Sequence, residues 1–229
     1  MLSETGTTFM ERNMFRRLLL SIPLILLGPL ACTAQESAPS YSEGVHYSLI
    51  VPAVRTADPA TIEVVEFFWH GCSHCYNFEP ILNQWKKSLP DDVDFRGSPA
   101  VWNPGMELHA KAYYTAEVLG VLDTMHLALF QAMNVDRKQL SSEDEVAEVF
   151  AANGVSKEEF LKTLNSFGVT SLARQAASRA RAAKISGTPE MMINGKYRIS
   201  TRLEGVKGQS DMLKVASFLI DKERTAKGS

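Results

Sequence analysis

Cys72-Ser73-His74-Cys75 is the segment of this chain whose residue types and spacing could carry redox chemistry. From Cys75 onward the apolar positions Phe78, Ile81, Leu82, Trp85 and Leu89 recur at helical spacing. This predicts an amphipathic helix over Cys75 to Leu89 with Cys72 at its N-terminal end, and Pro80 inside it as a candidate kink. A cysteine there faces backbone N–H groups that lack helical partners and the positive end of the helix dipole, and both favour thiolate over thiol. His74, when protonated, would add a second positive group and lower the Cys72 thiol pKa further. A low pKa stabilises the dithiol relative to the disulfide, so the disulfide form becomes an oxidant. Cys75, one turn deeper, is expected as the buried partner. Two alternatives are an inert disulfide and a zinc site. Zinc would need both cysteines and two of His70, His74, His109 or His126, none of them at finger-like spacing with a second C-x-x-C.

Two further features bear on this pair. Glu66 is a charged residue inside the apolar run Thr61 to Trp69, six residues before Cys72. An inward carboxylate there is costly without a partner or a role, so Glu66 either moves the proton of Cys75 or points to solvent at a sheet edge. Thr188-Pro189 is the second: an X-Pro bond adopts cis at modest cost and can then expose backbone groups to a peptide, although an ordinary turn proline is the plainer reading of the residues alone.

These residues need elements to hold them. Thr61 to Trp69 has the β-branched and aromatic composition of a buried central strand. Val93 to Val101 reads as a second strand, and His46 to Val51 as an edge strand within a polar arm. Helical patterns then run through Leu108 to Leu119, Thr124 to Met133, Ser142 to Ala152, Lys157 to Asn165 and Ser171 to Lys184. Ser142 with Glu145 and Ser156 with Glu159 resemble capping boxes. Asn194-Gly195, between Glu190 to Ile193 and Lys196 to Ile199, is a hairpin signal. A last helix is expected from Ser210 to Asp221. The order strand, helix, strand, helical block, hairpin, helix is that of an α/β sheet fold interrupted by helices.

The chain has 229 residues, 45% hydrophobic and 22% charged, which is ordinary globular composition. Lys plus Arg number 24 against 26 Asp plus Glu, so there is no basic excess of the kind that polyanion binding exploits, and no nucleic-acid partner is expected. Arg12, Arg16 and Arg17 precede a mostly apolar run from Leu18 to Ala31, and small residues follow at Ala31, Thr33 and Ala34. That is the layout of a secretory signal peptide over residues 1–34, the run being too short to span a bilayer as a helix. Cys32 partly matches a lipoprotein cleavage site, a weaker reading than cleavage after Ala34. Export to an oxidising compartment favours a redox-active or bonded pair over reduced structural thiols.

The segments VVEFFWHGCSHCYNFEP and FGVTSLARQAASRARAAKISGTPEMMINGKY resemble bacterial periplasmic thiol:disulfide oxidoreductases of the DsbA type. The resemblance implies an α/β thioredoxin fold with an inserted helical domain: residues 35–105 and 185–229 form the thioredoxin-like part and 106–184 the insert. It implies that Cys72 is the exposed attacking cysteine, Cys75 the buried one, Glu66 the buried acid beneath them, and Pro189 a cis proline beside the pair with Thr188 on the substrate-facing loop. The activity implied is donation of the disulfide to reduced exported proteins, by a monomer without cofactor or metal that a DsbB-type membrane quinone reductase reoxidises. Trp69, His70, Met191 and Trp102 are candidates to line an apolar peptide groove. Ser73-His74 stands where the best-known members have Pro-His, and Thr188 where they have Val, positions the family uses to tune potential and substrate release. A basic residue that partners the buried acid in some members has no clear counterpart, since Gly97 falls in the expected register with Arg96 beside it. Rival readings are an isomerase or reductase of the same fold, a noncatalytic peptide-binding module with a permanent disulfide, and metal trafficking through His70, Cys72, His74 and Cys75.

Overall fold

A single β-branched and aromatic run organises the sheet. Residues 40–228 are described in a computed structural model of the chain, so the expected signal peptide over residues 1–34, Cys32 included, lies outside the described residues. β1 (Ser48–Leu49), β2 (Ile62–Phe68), β3 (Val93–Pro99), β4 (Glu190–Ile193) and β5 (Tyr197–Ser200) form a five-stranded sheet in the order β1-β5-β4-β2-β3. Every residue of β2 is buried, and it pairs parallel with β3 and antiparallel with β4. The short β1 lies at an edge, antiparallel to β5.

Alternation along β2 sends its side chains into two cores. Ile62 and Val64 pack with Phe78 and Leu82 of α1 (Ser73–Lys86) and with Met212, Val215 and Leu219 of α7 (Gln209–Lys227). Val65 and Phe67 face the opposite way, onto Ala180, Ala183 and Ile185. Five helices fill the interval between β3 and β4: α2 (Pro104–Val118), α3 (Leu122–Asn134), α4 (Glu143–Ala152), α5 (Lys157–Leu164) and α6 (Phe167–Ala182). α2 to α5 enclose a core of their own around Met125, Leu129, Phe150 and Phe160. α6 belongs to both layers, because its Ala180 packs on the sheet while Ala173 and Ala176 meet Phe68, Tyr113 and Phe130.

The caps explain most element boundaries. Asn103, Ser142, Ser156 and Ser166 each accept a hydrogen bond from the backbone N–H three residues on. Glu145 does not close a reciprocal box on Ser142; its carboxylate accepts instead from the backbone and hydroxyl of Ser141. Ser166 starts α6 at Phe167, four residues before the expected Ser171. Gly168 there hides the signal, since its helical cost is offset by the cap. The last helix is likewise longer than expected at its C-terminal end, running to Lys227.

Asn194 and Gly195 both have positive φ, 49° and 68°, as a tight hairpin turn with primed geometry requires. A Cβ on Gly195 would collide with the Val54 carbonyl, and Val54 N–H bonds the Gly195 carbonyl at 2.8 Å. Gly195→Ala is therefore expected to lower stability by about 2 kcal/mol, the sum of the positive-φ penalty and the lost tether of the arm. Urea unfolding with an unchanged m-value is the check; a loss below a few tenths of a kcal/mol would contradict the turn geometry.

Candidate active site

Cys72 is the N-cap of α1, in extended conformation with φ −92° and ψ 113°. Its own N–H donates to the Trp69 carbonyl at 2.9 Å, closing the turn between β2 and the helix. Gly71 is the residue this turn can hold, because a Cβ there would run into the indole of Trp69. That indole is itself fixed, donating to His109 Nδ1 at 2.9 Å and stacking on its ring. The strand-to-helix corner is thus clamped by α2 of the helical insert.

The two cysteines carry free thiols in different surroundings. Cys72 is half-buried and Cys75 has no exposed surface. The Cys72 thiol donates to the Thr188 carbonyl at 3.4 Å, and the Thr188-Pro189 bond is cis. The Cys72 pKa is pulled down to about 5, first by a hydrogen bond from the Cys75 thiol. Burial opposes this, while the Thr188 hydroxyl and the backbone N–H groups of Cys75 and His74 assist it. The His74 side chain is exposed, and its backbone N–H is among the groups that favour the thiolate. Cys75 moves the other way. Burial, its donation to Cys72 and the negative charge of Glu66 all raise its pKa far above that of an ordinary thiol.

Glu66 is 2% exposed, so the solvent-facing reading does not hold. It lies mid-strand between β3 and β4, opposite Gly97 and Met191, and its Oε1 has no hydrogen-bond partner among the described residues. Burial raises its pKa well above the carboxylate range, and the nearby charge of Glu79 adds to the effect. Gly97 leaves room that the Tyr113 hydroxyl fills, 2.8 Å from where a Cβ would stand. Arg96 is engaged with Glu63 at 3.6 Å and with Asp94. The cation nearest in effect to Glu66 is Lys86, from the last turn of α1.

Three expectations about the groove are corrected. His70 is 1% exposed and cannot line a peptide surface: it is boxed by Phe68 and Phe130 and bonded to His126 Nδ1 at 3.2 Å. Burial, with the neighbouring His126 and His109, pushes its pKa well down, so it stays neutral. Met191 is fully buried in the sheet core because β4 is an interior strand. Trp102 is half-exposed, but it borders a separate cleft with Pro104, Arg174 and Arg181. Trp69, part-buried, does sit at the corner before Cys72.

Sequence reading missed the buried line behind the pair. His126 bridges His70 and Glu79, its Nε2 lying 3.2 Å from Glu79 Oε1, and Asn83 also donates to Glu79 at 2.9 Å. Burial raises Glu79, but His126, Lys86 and Asn83 together bring it below the ordinary carboxylate value. Glu79 was findable, since it follows Cys75 by four residues and so shares its helix face; His126 and His70 are 56 residues apart and no local pattern joins them. Glu66, Glu79, Lys86, Tyr113 and His126 all border one cavity of about 480 Å³ on the inner side of α1. Among the described residues no group of three or more His, Cys, Asp and Glu is placed to hold a metal ion.

Residues 91–219 match the family model of the DSBA-like thioredoxin domain. The chain is 43% identical over 183 residues to the thiol:disulfide interchange protein DsbA of Azotobacter vinelandii, covering 80% of this chain and 85% of that one. It is 38% identical over 211 residues to DsbA of Pseudomonas aeruginosa, covering 92% and 98%. The chain belongs to the DsbA family. The crystal structure of Pseudomonas aeruginosa DsbA superposes with a TM-score of 0.78 at 39% identity, over 82% of this chain and 97% of that chain. As a DsbA-family member with the DsbA-like thioredoxin fold, the protein is a thiol:disulfide oxidoreductase.

For this DsbA-family pair the opposed environments predict selective alkylation. Iodoacetamide should modify Cys72 alone in the native protein, with a rate that rises with pH through a midpoint near 5. Thr188→Val keeps the backbone carbonyl but removes the hydroxyl that favours the thiolate, and should move that midpoint upward. Mass mapping of the alkylated peptide across pH reads both outcomes, and modification of Cys75 at neutral pH would contradict them.

Proposed function

We propose that this protein donates a Cys72-Cys75 disulfide to reduced exported proteins in the periplasm, as a monomer that a DsbB-type membrane quinone reductase reoxidises. In this reading residues 1–34 are the export signal, and the thioredoxin-like parts 35–105 and 185–229 flank the helical insert 106–184. The absence of a helix long and apolar enough to cross a membrane among the described residues is compatible with that arrangement. One observation carries the direction of the reaction: the half-exposed thiol is stabilised as thiolate near pH 5 while its partner is held as a thiol by burial.

The steps follow from that opposition. A client thiolate attacks Cys72 Sγ, forming a client–Cys72 bond while the Cys72–Cys75 bond breaks. The electron pair leaves on Cys75, whose surroundings demand a proton at once. Glu66, whose pKa burial raises and which is close enough to influence Cys75, is the proposed source. A second client thiolate then attacks the client sulfur of the mixed disulfide, and Cys72 departs as a thiolate. Two client thiols have become a disulfide, and the cysteine pair holds the two electrons until it is reoxidised. The low pKa of Cys72 makes it a good leaving group and lowers the energy of the reduced protein. Thr188 and Pro189, beside Cys72, and Trp69, at the corner before it, are the proposed client contacts.

Equilibration of the purified protein with glutathione, followed by thiol alkylation, tests the direction. A potential above the glutathione couple is expected; one far below it would favour a reductase or a permanent bond. Stability gives a second test with a definite sign. The Cys72 pKa is near 5 when folded and about 8.5 in an unfolded chain, so its stabilisation is complete above the unfolded value and is lost as pH falls through 5. The reduced protein should therefore outlast the oxidised one in urea at pH 8 to 9, with the gap closing toward pH 5. Glu66→Gln keeps the shape and removes the transferable proton, so oxidation of a peptide dithiol at pH 7 should slow about tenfold or more and lose one limb of its pH profile. Unchanged rates across pH would remove Glu66 from the mechanism.

A further inference from the structure

A cleft of about 510 Å³ opens beside the cysteines, lined among others by His74, Thr188, Pro189, Glu190, Arg202 and Gln209. Arg202 lies in the turn after β5 and is tied down at its tip: Nη1 donates to the Ser186 carbonyl at 2.8 Å and to the Ser186 hydroxyl at 2.9 Å. These bonds hold the guanidinium over Gly187, where a Cβ would run into it. The side chain is nevertheless 63% exposed, and Nε and Nη2 have no protein acceptor among the described residues. Besides the exposed His74, the other ionisable side chain on the cleft wall is Glu190, 3.8 Å from Arg202 Nη1. It is 1% exposed and accepts from the backbone and hydroxyl of Ser186, so it does not cover the outward side of the guanidinium. The cleft thus presents a preorganised guanidinium, paired on one edge with Glu190 and with Nε and Nη2 open on the other, next to the loop that touches the reactive sulfur.

Resting on the disulfide-donation reading, we propose that Arg202 is a specificity-determining residue that favours client segments with an aspartate or glutamate one or two positions from the attacking cysteine. The spacing supports this. The client cysteine must end at Cys72 Sγ, 3.4 Å from the Thr188 carbonyl, and Gly187 is the next residue along that loop. An extended client advances about 3.3 Å per residue, which brings a neighbouring side chain over Gly187 and the guanidinium. A guanidinium fork with free N–H groups matches a carboxylate in shape and charge. Because the site is open to water, the preference is modest and sensitive to salt.

Peptide dithiols identical except for Asp, Asn or Lys beside the first cysteine test this, using oxidised wild-type protein and the variants Arg202→Gln, Arg202→Lys and Arg202→Glu. Wild type should show an Asp-to-Lys ratio of kcat/KM of about fivefold at low ionic strength, falling toward one in high salt. Arg202→Gln should bring the ratio to one, Arg202→Glu should invert it, and Arg202→Lys should keep its sign. Each ratio compares peptides on one protein, so partial misfolding cancels, and the Lys variant preserves the test if Gln folds poorly. All three peptides oxidised at equal rates by wild type, or a preference that survives Arg202→Gln, would overturn the role of Arg202 and leave disulfide donation standing. No oxidation of any peptide would overturn the donation reading and this inference together.

Discussion

Everything in this site follows from placing one sulfur at the water boundary of a helix N-terminus and the other inside the core. Cys72 receives a thiol hydrogen bond from Cys75 and backbone N–H groups from the first turn, whereas Cys75 has no exposed surface at all. Negative charge is therefore stable on one sulfur and unfavourable on the other, although they are three residues apart. That asymmetry needs a rigid corner. The corner is supplied by a fully buried strand, a glycine without a Cβ to strike Trp69, and a tryptophan bonded to His109.

The helical insert consequently packs against the elements that hold the cysteine pair rather than standing apart from the sheet. From α2, His109 holds Trp69 and Tyr113 packs in one core with Cys75, while His126 from α3 meets Glu79 of the cysteine helix. Tyr113 fills the space left by Gly97, and His126 turns Glu79 into a paired carboxylate while burial pushes the pKa of Glu66 beside it upward. The pKa values of two acids on one cavity are thus pushed in opposite directions, Glu79 downward by its histidine and Glu66 upward by burial. The same insert closes over His70, which keeps that ring neutral and out of the peptide surface.

The chain alone determined the elements and the pair, because those signals are local. β-branched and aromatic enrichment marked β2, helical spacing after Cys75 marked α1, serine caps marked α4 and α5, and Asn194-Gly195 marked the hairpin. Each depends on backbone preferences within a few residues, so each is legible without the fold. Misreadings fell where local preference was overridden: α6 begins at a cap followed by a glycine, and the Glu145 carboxylate bonds the residue before the expected one. The burial of Glu66 was written in its apolar neighbours as an ambiguity, which strand order resolved by putting β2 between two others.

What only the tertiary structure decided are the contacts between residues far apart in sequence. Thr188 meets Cys72 across 116 positions, His126 meets Glu79 across 47, and Arg202 is anchored on Ser186 through the pairing of β4 with β5. Charge, burial and hydrogen bonding at these places depend on distances that no local spacing encodes. For that reason the sequence names Cys72 and Cys75, while the packing of sheet and insert sets which sulfur carries the charge, which acid holds the proton and what the neighbouring cleft presents to a client.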